Sequence, residues 1–188
     1  MLSAVLWDFG GVITSSPFEA FNAYEARLDI PLDTIRGINA TNPDNNAWAR
    51  LESSQISLDE FDHQFAAEAR AIGHDIPGRD VIGMLAGELR PEMVKALGII
   101  SQNYKIGCIT NNVKKADGES GIPTSSERAD KMAEVMAMFD IVVESAIEGI
   151  RKPNPAIYTL ACERLGVKAD EALFLDDLGI NLKPSSQP

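Results

Sequence analysis

The sequence predicts an α/β fold in which a parallel, Rossmann-like sheet carries an inserted all-helical cap. Four short apolar runs alternate with segments of helical periodicity, which is typical of parallel sheets covered by helices on both faces. These runs lie at residues 4–7, 105–109, 140–144 and 172–175. Between the first two runs, residues 18–89 have helical spacing and no strand pattern. We therefore expect a discontinuous core of residues 1–16 and 90–188 and a cap of residues 17–89.

The first predicted strand ends in a carboxylate, that of Asp8, followed by Phe9, Gly10 and Gly11. The run at residues 4–7 is too short for a helix and is apolar on both faces, which predicts a buried strand. Burying Asp8 unpaired would cost several kcal/mol, so we expect it at the C-terminal end of the strand, facing a crevice. The glycines allow a sharp turn there. For this segment alone, an ordinary turn-starting aspartate is the alternative.

The helical block has recognisable start signals. Ser16 and Pro17 suit the N-cap and the first position of a helix. Ser57 and Glu60 form a capping box that opens a helix to about residue 72. Trp48 is expected to pack inside the cap, and the alternative is that it lines the substrate entrance with Asn45 and Asn46. The remaining segments before the second strand are predicted as a helix at 32–38, a turn-rich loop at 39–46, and helices at 81–89 and 91–100.

The second half of the chain alternates strand and helix. A loop rich in Lys, Gly and Ser is predicted at residues 113–126, followed by a helix at 127–139. Lys152 lies in a loop that opens a helix at residues 156–165. Arg151 beside it is expected to be solvated.

Composition excludes several classes of partner. The net charge of −11 argues against nucleic acid and anionic membranes. It does not argue against a small anionic substrate, because a local cation can reverse the sign of the charge at a site. Two cysteines do not form a disulfide framework, and no apolar run approaches the roughly 20 residues of a membrane span. We expect a cytoplasmic protein with no nucleic-acid or membrane partner.

Polar residues follow the predicted strands where a parallel sheet forms its binding crevice. They are Asp8, Thr110 with Asn111, and Asp176 with Asp177, while Lys152 comes from a loop. Carboxylates that converge on one crevice repel one another, so protons or a cation must balance them. Mg²⁺ suits two carboxylates, a backbone carbonyl and waters. With a lysine and a hydroxyl as donors, these are the parts for phosphoryl transfer to an aspartate nucleophile.

These motifs resemble those of the haloacid dehalogenase-like (HAD) hydrolase superfamily. The resemblance is greatest to the branch with the N-terminal phosphatase domain of soluble epoxide hydrolase and the HAD domain of acyl-CoA dehydrogenase 10. It implies that Asp8, in Trp-Asp-Phe-Gly-Gly-Val, is the nucleophile. Thr110, in Cys-Ile-Thr-Asn-Asn, then binds phosphate with Asn111 beside it. Lys152, in Arg-Lys-Pro-Asn-Pro, neutralises the charge of nucleophile and phosphate.

The same resemblance implies a Mg²⁺ site. In Phe-Leu-Asp-Asp-Leu-Gly, Asp177 matches the usual direct ligand and Asp176 the residue that more often acts through water. Asp8 and the backbone carbonyl of Gly10 complete the implied ligand set.

Two features depart from the family pattern. Gly10 stands where most family phosphatases have a general-acid aspartate. Family members also continue past the last motif into the rest of a helix and a further strand, whereas this chain ends at residues 183–188. We expect a truncated or foreign end that leaves a sheet edge open, which either pairs with a second chain in a homodimer or frays and lowers the melting temperature.

The first interpretation is a Mg²⁺-dependent phosphatase of small phosphorylated metabolites that acts through an aspartyl-phosphate on Asp8. The alternative enzyme is a haloacid dehalogenase, in which the aspartate attacks carbon. Gly10 is compatible with that chemistry, but such members work without metal, which leaves Asp176 and Asp177 without a purpose. The third interpretation is a catalytically weak HAD-fold scaffold or regulator that binds a phosphorylated ligand weakly. Gly10 and the missing C-terminal segment favour it.

Overall fold

The computed structural model describes residues 1–113 and 126–183 of the chain. The strands are β1 (Ala4–Trp7), β2 (Lys105–Thr110), β3 (Ile141–Glu144) and β4 (Ala172–Leu175). The first helices are α1 (Pro17–Arg27), α2 (Thr34–Ala40), α3 (Ala47–Glu52), α4 (Leu58–Ala71) and α5 (Gly78–Gly83). The others are α6 (Pro91–Ile100), α7 (Ser126–Met136), α8 (Ser145–Glu148) and α9 (Pro155–Leu165). Most of the predicted loop at 113–126 and residues 184–188 lie outside the described residues.

The strands form one parallel sheet in the order β3-β2-β1-β4. Because side chains alternate along a strand, Val5 and Trp7 of β1 face one apolar cluster and Ala4 and Leu6 face another. Helices α6 and α7 cover the first face and α9 covers the second. The predicted parallel α/β sheet with helices on both faces is confirmed. Its register aligns the C-terminal ends of β1 and β4, since Trp7 pairs with Leu175.

Helices α1 to α5 pack around a hydrophobic cluster centred on Phe21, Phe61 and Phe65, which Val113 joins from beyond β2 and which is separate from the two clusters of the sheet. Two linkers join this cluster to the sheet and run side by side, because Thr14 and Leu89 form an antiparallel bridge. We propose residues 17–89 as the cap, as the sequence predicts, and residues 1–16 and 90–188 as the core. The separate cluster and the paired linkers support that division.

Most predicted start and stop signals act as expected. The Ser16 side chain accepts a hydrogen bond from the Phe18 N–H, and Ser57 and Glu60 form the reciprocal capping box. Gly166 ends α9 in the left-handed region with φ +63°. These local contacts are short-range, which is why the sequence alone reveals them.

Two predictions in this region need correction. The helix predicted at 81–89 is wrong in extent, because α5 ends at Gly83 and the following residues form a linker. A Cβ at Gly87 would lie 2.4 Å from the Ser15 carbonyl oxygen, so the linkers touch through backbone. Helix α3 was not predicted; its N-cap is Asn46, whose side chain accepts a hydrogen bond from the Ala49 N–H at 2.8 Å.

Within residues 1–113 and 126–183, no helix is both long enough and apolar enough to span a bilayer. Cys108 and Cys162 are both buried and unpaired. They belong to the clusters on opposite faces of the sheet, and burial raises the pKa of each thiol.

Strand β4 forms one edge of the sheet, and among the described residues it pairs only with β1. Leu173 on this strand is 47% exposed. Because an exposed apolar edge is a template for pairing with another chain, we expect a homodimer through β4. Leu173→Lys should shift the protein toward monomer in sedimentation velocity, while Leu32→Lys on the exposed cap surface should not. A Leu173→Lys protein that sediments like a dimeric wild type, or a wild type that stays monomeric, would contradict this expectation.

Candidate active site

The ends of β1 and β4 hold two carboxylates next to each other. The Asp8 N–H donates to the Leu175 carbonyl oxygen at 2.8 Å, which extends the sheet pairing by one residue and places Asp8 beside Asp176. Between them lies the ammonium of Lys152, with Nζ 2.8 Å from Asp8 Oδ1 and 2.7 Å from Asp176 Oδ2. The Lys152 side chain is 1% exposed. The structure therefore brings together three of the predicted site residues in one buried ion cluster.

The two oxygens of Asp8 differ in their contacts. Oδ1 accepts hydrogen bonds from the Phe9 N–H at 2.7 Å and from Lys152, whereas no hydrogen bond from a described residue reaches Oδ2. Burial raises the pKa of Asp8 to about 7, although the charge of Lys152 and the hydrogen bonds lower it. One oxygen is thus fixed, and the other is free of hydrogen bonds from described residues.

Lys152 is held in its charged form. Burial by itself lowers the pKa of the Lys152 ammonium, but the charges of Asp8 and Asp176 outweigh burial and hold the pKa above its ordinary value. The ammonium also lies 5.4 Å from the centroid of the Phe174 ring. At neutral pH the site therefore presents a fixed positive charge next to Asp8.

Asp176 and Asp177 have different surroundings. Asp176 accepts hydrogen bonds from Lys152, from the Asn181 side chain at 3.0 Å and from the Leu178 N–H at 2.8 Å. No hydrogen bond from another described residue reaches the Asp177 carboxylate, which is exposed and lines a cavity of about 320 Å³. Burial and the neighbouring Asp176 raise the pKa of Asp177. Asp176 is therefore used to hold Lys152, while the oxygens of Asp177 are available.

The carboxylates could hold a divalent cation. Asp8, Asp176 and Asp177 each offer an oxygen within 4.8 Å of the others, and Lys152 neutralises only one of the three charges. A Cβ at Gly11 would lie 2.2 Å from Asp177 Oδ2, so the absence of a side chain there leaves room for that carboxylate beside the β1 loop. Oxygen ligands of this kind suit Mg²⁺. The predicted contribution of the Gly10 carbonyl remains a prediction.

Thr110 and Asn111 end β2, the strand next to β1. The hydroxyl of Thr110, a buried residue, makes no hydrogen bond to a described residue, so it is available to an anion. The carboxamide of Asn111 holds the backbone of Lys152 instead. Its Oδ1 accepts from the Lys152 N–H at 2.8 Å, and its Nδ2 donates to the Lys152 carbonyl at 3.1 Å. The structure thus joins Asn111 to the Lys152 loop, and substrate binding by Asn111 remains a prediction.

Sequence reasoning missed Glu52 and misjudged Arg151. The expectation that Arg151 is solvated is wrong, because its side chain is 23% exposed and its Nε lies 2.8 Å from Glu52 Oε2. Glu52 closes helix α3 of the cap and is itself buried. The only signal in the sequence is an acidic residue that follows the apolar Trp48 and Leu51, and it does not indicate a partner so far along the chain.

The rest of the cap carries none of the predicted site residues. Trp48 packs edge-on against Phe61 with ring centroids 5.9 Å apart, as expected for a cap residue. A cavity of about 510 Å³ lies between α1 and α5, where the Tyr24 hydroxyl donates to Asp80. None of the residues that line it belongs to the carboxylate cluster.

The fold and the site define a class of protein, namely a capped α/β protein with a buried aspartate–lysine pair at the C-terminal edge of its sheet. Residues 2–181 match the haloacid dehalogenase-like hydrolase family. The chain belongs to this family.

Individual relatives agree with that assignment. The chain is 32% identical to mouse acyl-CoA dehydrogenase family member 10, over 96% of this chain and 16% of that protein. It is 34% identical to pig bifunctional epoxide hydrolase 2, over 97% of this chain and 34% of that protein. It therefore spans a minor part of these two relatives. A phosphatase from Mycobacterium tuberculosis is 27% identical, over 94% of this chain and 79% of that protein.

Solved structures share the fold. A HAD family enzyme from Bacteroides thetaiotaomicron, in complex with magnesium and inorganic phosphate, superposes with a TM-score of 0.60 at 16% identity. The match covers 98% of this chain and 89% of that one. The L-2-haloacid dehalogenase of Xanthobacter autotrophicus, with chloropropionic acid covalently bound, gives 0.62 at 18% identity, over 98% and 73%.

The adjacent glycines of the β1 loop should differ in their tolerance of a side chain. Gly11 has φ +84° and no room beside Asp177, whereas a Cβ at Gly10 would meet nothing within 4 Å. We expect Gly11→Ala to lower the free energy of unfolding by about 1–3 kcal/mol because alanine is strained at this positive φ, while the exposed Asp177 carboxylate must also move away from its Cβ. The matched control Gly10→Ala should stay within about 0.5 kcal/mol of wild type. Urea unfolding measures both, and equal stabilities of the two variants would contradict this account of the loop.

Proposed function

We propose that this chain is a Mg²⁺-dependent phosphatase of small phosphorylated metabolites, and that Asp8 accepts the phosphoryl group. The observation that carries the proposal is the pairing of Asp8 Oδ1 with Lys152 while Oδ2 accepts no hydrogen bond from a described residue. That arrangement fixes the nucleophile and leaves one of its oxygens to attack. The phosphatase among the relatives, and the magnesium and phosphate held by a structural neighbour, support the same proposal.

The proposed reaction has two steps. Asp8 Oδ2 forms a bond to phosphorus as the bond to the ester oxygen breaks, which gives an aspartyl-phosphate and the alcohol or alkoxide. Water then attacks phosphorus, releases inorganic phosphate and returns Asp8 as a carboxylate. Splitting hydrolysis in this way replaces one difficult step with two easier ones.

The residues around Asp8 supply charge and donors. The ammonium of Lys152 offsets the negative charge of the nucleophile and of the incoming phosphoryl oxygens, and Asp176 holds it in place. The hydroxyl of Thr110 donates to a phosphoryl oxygen. Asp8, Asp177 and the Gly10 carbonyl would hold Mg²⁺, with Asp176 acting through water. When bound, the ion supplies positive charge to the phosphoryl oxygens.

A haloacid dehalogenase is the second candidate, and Gly10 favours it, because attack on carbon with loss of halide needs no proton donor at that position. The exposed Asp177 oxygens favour the phosphatase, since a metal-free reaction gives them no role. Metal dependence therefore separates the two candidates.

Removing the charge of Asp8 should stop turnover. Asp8→Asn keeps the shape of the side chain but not its nucleophilicity, so we expect hydrolysis of an aryl phosphate to fall by at least about 10³-fold. Asp75→Asn, on an exposed cap aspartate, is the control and should have wild-type activity. Activity of Asp8→Asn within tenfold of wild type would exclude Asp8 as the nucleophile.

Chelation should abolish phosphatase activity, and added Mg²⁺ should restore it. Asp177→Ala should weaken Mg²⁺ binding in titration calorimetry more than Asp176→Ala, because Lys152, Asn181 and the Leu178 N–H already engage the oxygens of Asp176. Full activity in excess chelator would reject metal dependence, and equal affinities of the two variants would reject this assignment of ligands.

The absence of an acid at position 10 should make the rate of hydrolysis depend on the leaving group of the substrate. A general acid contributes about 10²–10⁴-fold by protonating the leaving oxygen, and glycine cannot supply the proton. We expect kcat/KM to fall steeply as the pKa of the leaving group rises. Gly10→Asp should flatten the dependence by raising the rates of alkyl phosphates, and the structure has open space for its Cβ.

The control for this substitution is Gly10→Asn, which has nearly the same shape as Gly10→Asp but no acidic proton. It should retain the steep dependence. A flat dependence in the wild type would show that another group is the acid.

A further inference from the structure

We propose that Glu52, on cap helix α3, is a positioning residue for Lys152, so that docking of the cap on the core sets the geometry of the site. The inference rests on the proposed function for its kinetic consequences. Its structural basis is a chain of contacts from the cap to the Lys152 ammonium.

The first contact is an ion pair between cap and core. The Glu52 side chain is 8% exposed, and its Oε2 lies 2.8 Å from Nε of Arg151. Arg151 Nη1 also donates to the Pro43 carbonyl oxygen at 2.9 Å. A buried carboxylate is costly unless it is paired, so this pair favours one docked position of the cap. Arg151 is thus held from two points of the cap.

The second contact fixes the residue next to Arg151. The Asn111 carboxamide accepts from the Lys152 N–H and donates to the Lys152 carbonyl, which holds both polar groups of that peptide segment. Its Nδ2 also lies 3.4 Å from Glu52 Oε2, in a longer hydrogen bond. Glu52 therefore contacts both Asn111, which holds the Lys152 backbone, and the side chain of Arg151, the residue before Lys152.

The contacts continue to the reacting groups. The Lys152 side chain is 1% exposed and its ammonium is fixed between Asp8 and Asp176, so a shift of its backbone moves the charge away from the nucleophile. A displacement of about 1 Å in a catalytic group can cost on the order of 10²-fold in rate.

A further contact shows that the cap meets the core next to α3. The Ser54 hydroxyl, just after α3, donates to the Ala146 carbonyl oxygen of α8 at 2.8 Å. Pro43, Glu52 and Ser54 thus touch the core from the two ends of one helix. Movement of the cap would withdraw Glu52 and release Arg151, and with it the loop that carries Lys152.

The first test does not depend on activity. Amine acetylation with an N-hydroxysuccinimide ester, followed by peptide mass spectrometry, measures how often Lys152 becomes accessible. We expect Glu52→Ala to raise its labelling rate by about tenfold or more, because breaking a buried ion pair by removing one partner costs at least that factor.

The matched control is Asp62→Ala. Asp62 is a part-buried carboxylate of cap helix α4 whose Oδ1 accepts from the Arg79 N–H at 2.9 Å, away from α3. Its removal should leave Lys152 labelling at the wild-type rate. Equal labelling of Lys152 in Glu52→Ala and wild type, or an equal rise in Asp62→Ala, would overturn the inference.

The second test is kinetic. Glu52→Ala should lower kcat for an aryl phosphate by about 10–100-fold with little change in KM, since a misplaced Lys152 costs most in the transition state. Glu52→Gln keeps an acceptor oxygen for Arg151 and should recover part of the loss. If Glu52→Ala does not fold, Glu52→Gln is used in its place for both the kinetic and the labelling measurements. A wild-type kcat in Glu52→Gln together with unchanged Lys152 labelling would reject the positioning role.

A double variant tests the route through Arg151. The kcat of Glu52→Ala combined with Arg151→Met should be no lower than that of the more impaired single variant, because both substitutions remove the same pair. Losses that multiply would show that Glu52 does not act through Arg151. If the wild type hydrolyses no phosphate ester, the proposed function fails, whereas the labelling of Lys152 still decides whether Glu52 positions it.

Discussion

Burial of the Lys152 ammonium is the constraint on which the site depends. A charge that is 1% exposed is tolerable only with close partners of opposite sign, and Asp8 and Asp176 supply them at 2.8 and 2.7 Å. Those carboxylates can reach one ammonium because β1 and β4 are neighbours in a parallel sheet and end at the same level. The sheet order therefore fixes the ion cluster, and the ion cluster leaves one oxygen of Asp8 and both oxygens of Asp177 without hydrogen bonds from other described residues.

The sequence was sufficient for the sheet and for the residues at its edge. Strand β4 and helix α6 have the predicted bounds, and Asp8 and Asp176 lie together as the strand ends imply, with Lys152 reaching them from its loop. These features depend on short-range patterns and on the general placement of polar groups at strand ends. The Glu52–Arg151 pair was not predictable, because its two residues are distant in the chain. Glu52 also lies in α3, a short helix that the sequence pattern did not predict and that directly follows a turn-rich stretch. Cap-to-core contacts of this kind depend on how two packed units meet, and neither periodicity nor capping signals encode that.

The site also accounts for how one family fold can support different chemistry. An aspartate fixed by a lysine can attack phosphorus or carbon, and the neighbouring groups determine which reaction is favoured. Gly10 removes a proton donor, while Gly11 makes room for Asp177 beside the same loop. The lack of an acid at position 10 suits substrates with a good leaving group, and the room that Gly11 leaves for the Asp177 carboxylate suits a bound cation. Together they support the proposal of a metal-assisted phosphatase that prefers acyl or aryl phosphates to alkyl phosphates.

The central claim is that a phosphoryl group is transferred to Asp8, and chemical trapping tests it most directly. An aspartyl-phosphate is an acyl phosphate, which borohydride reduces to the alcohol, whereas a free carboxylate resists reduction. Protein quenched with borohydride during turnover of an aryl phosphate should yield a peptide with homoserine at position 8, and protein without substrate should not. Turnover that continues while position 8 remains aspartate in every quenched sample would contradict covalent catalysis by Asp8.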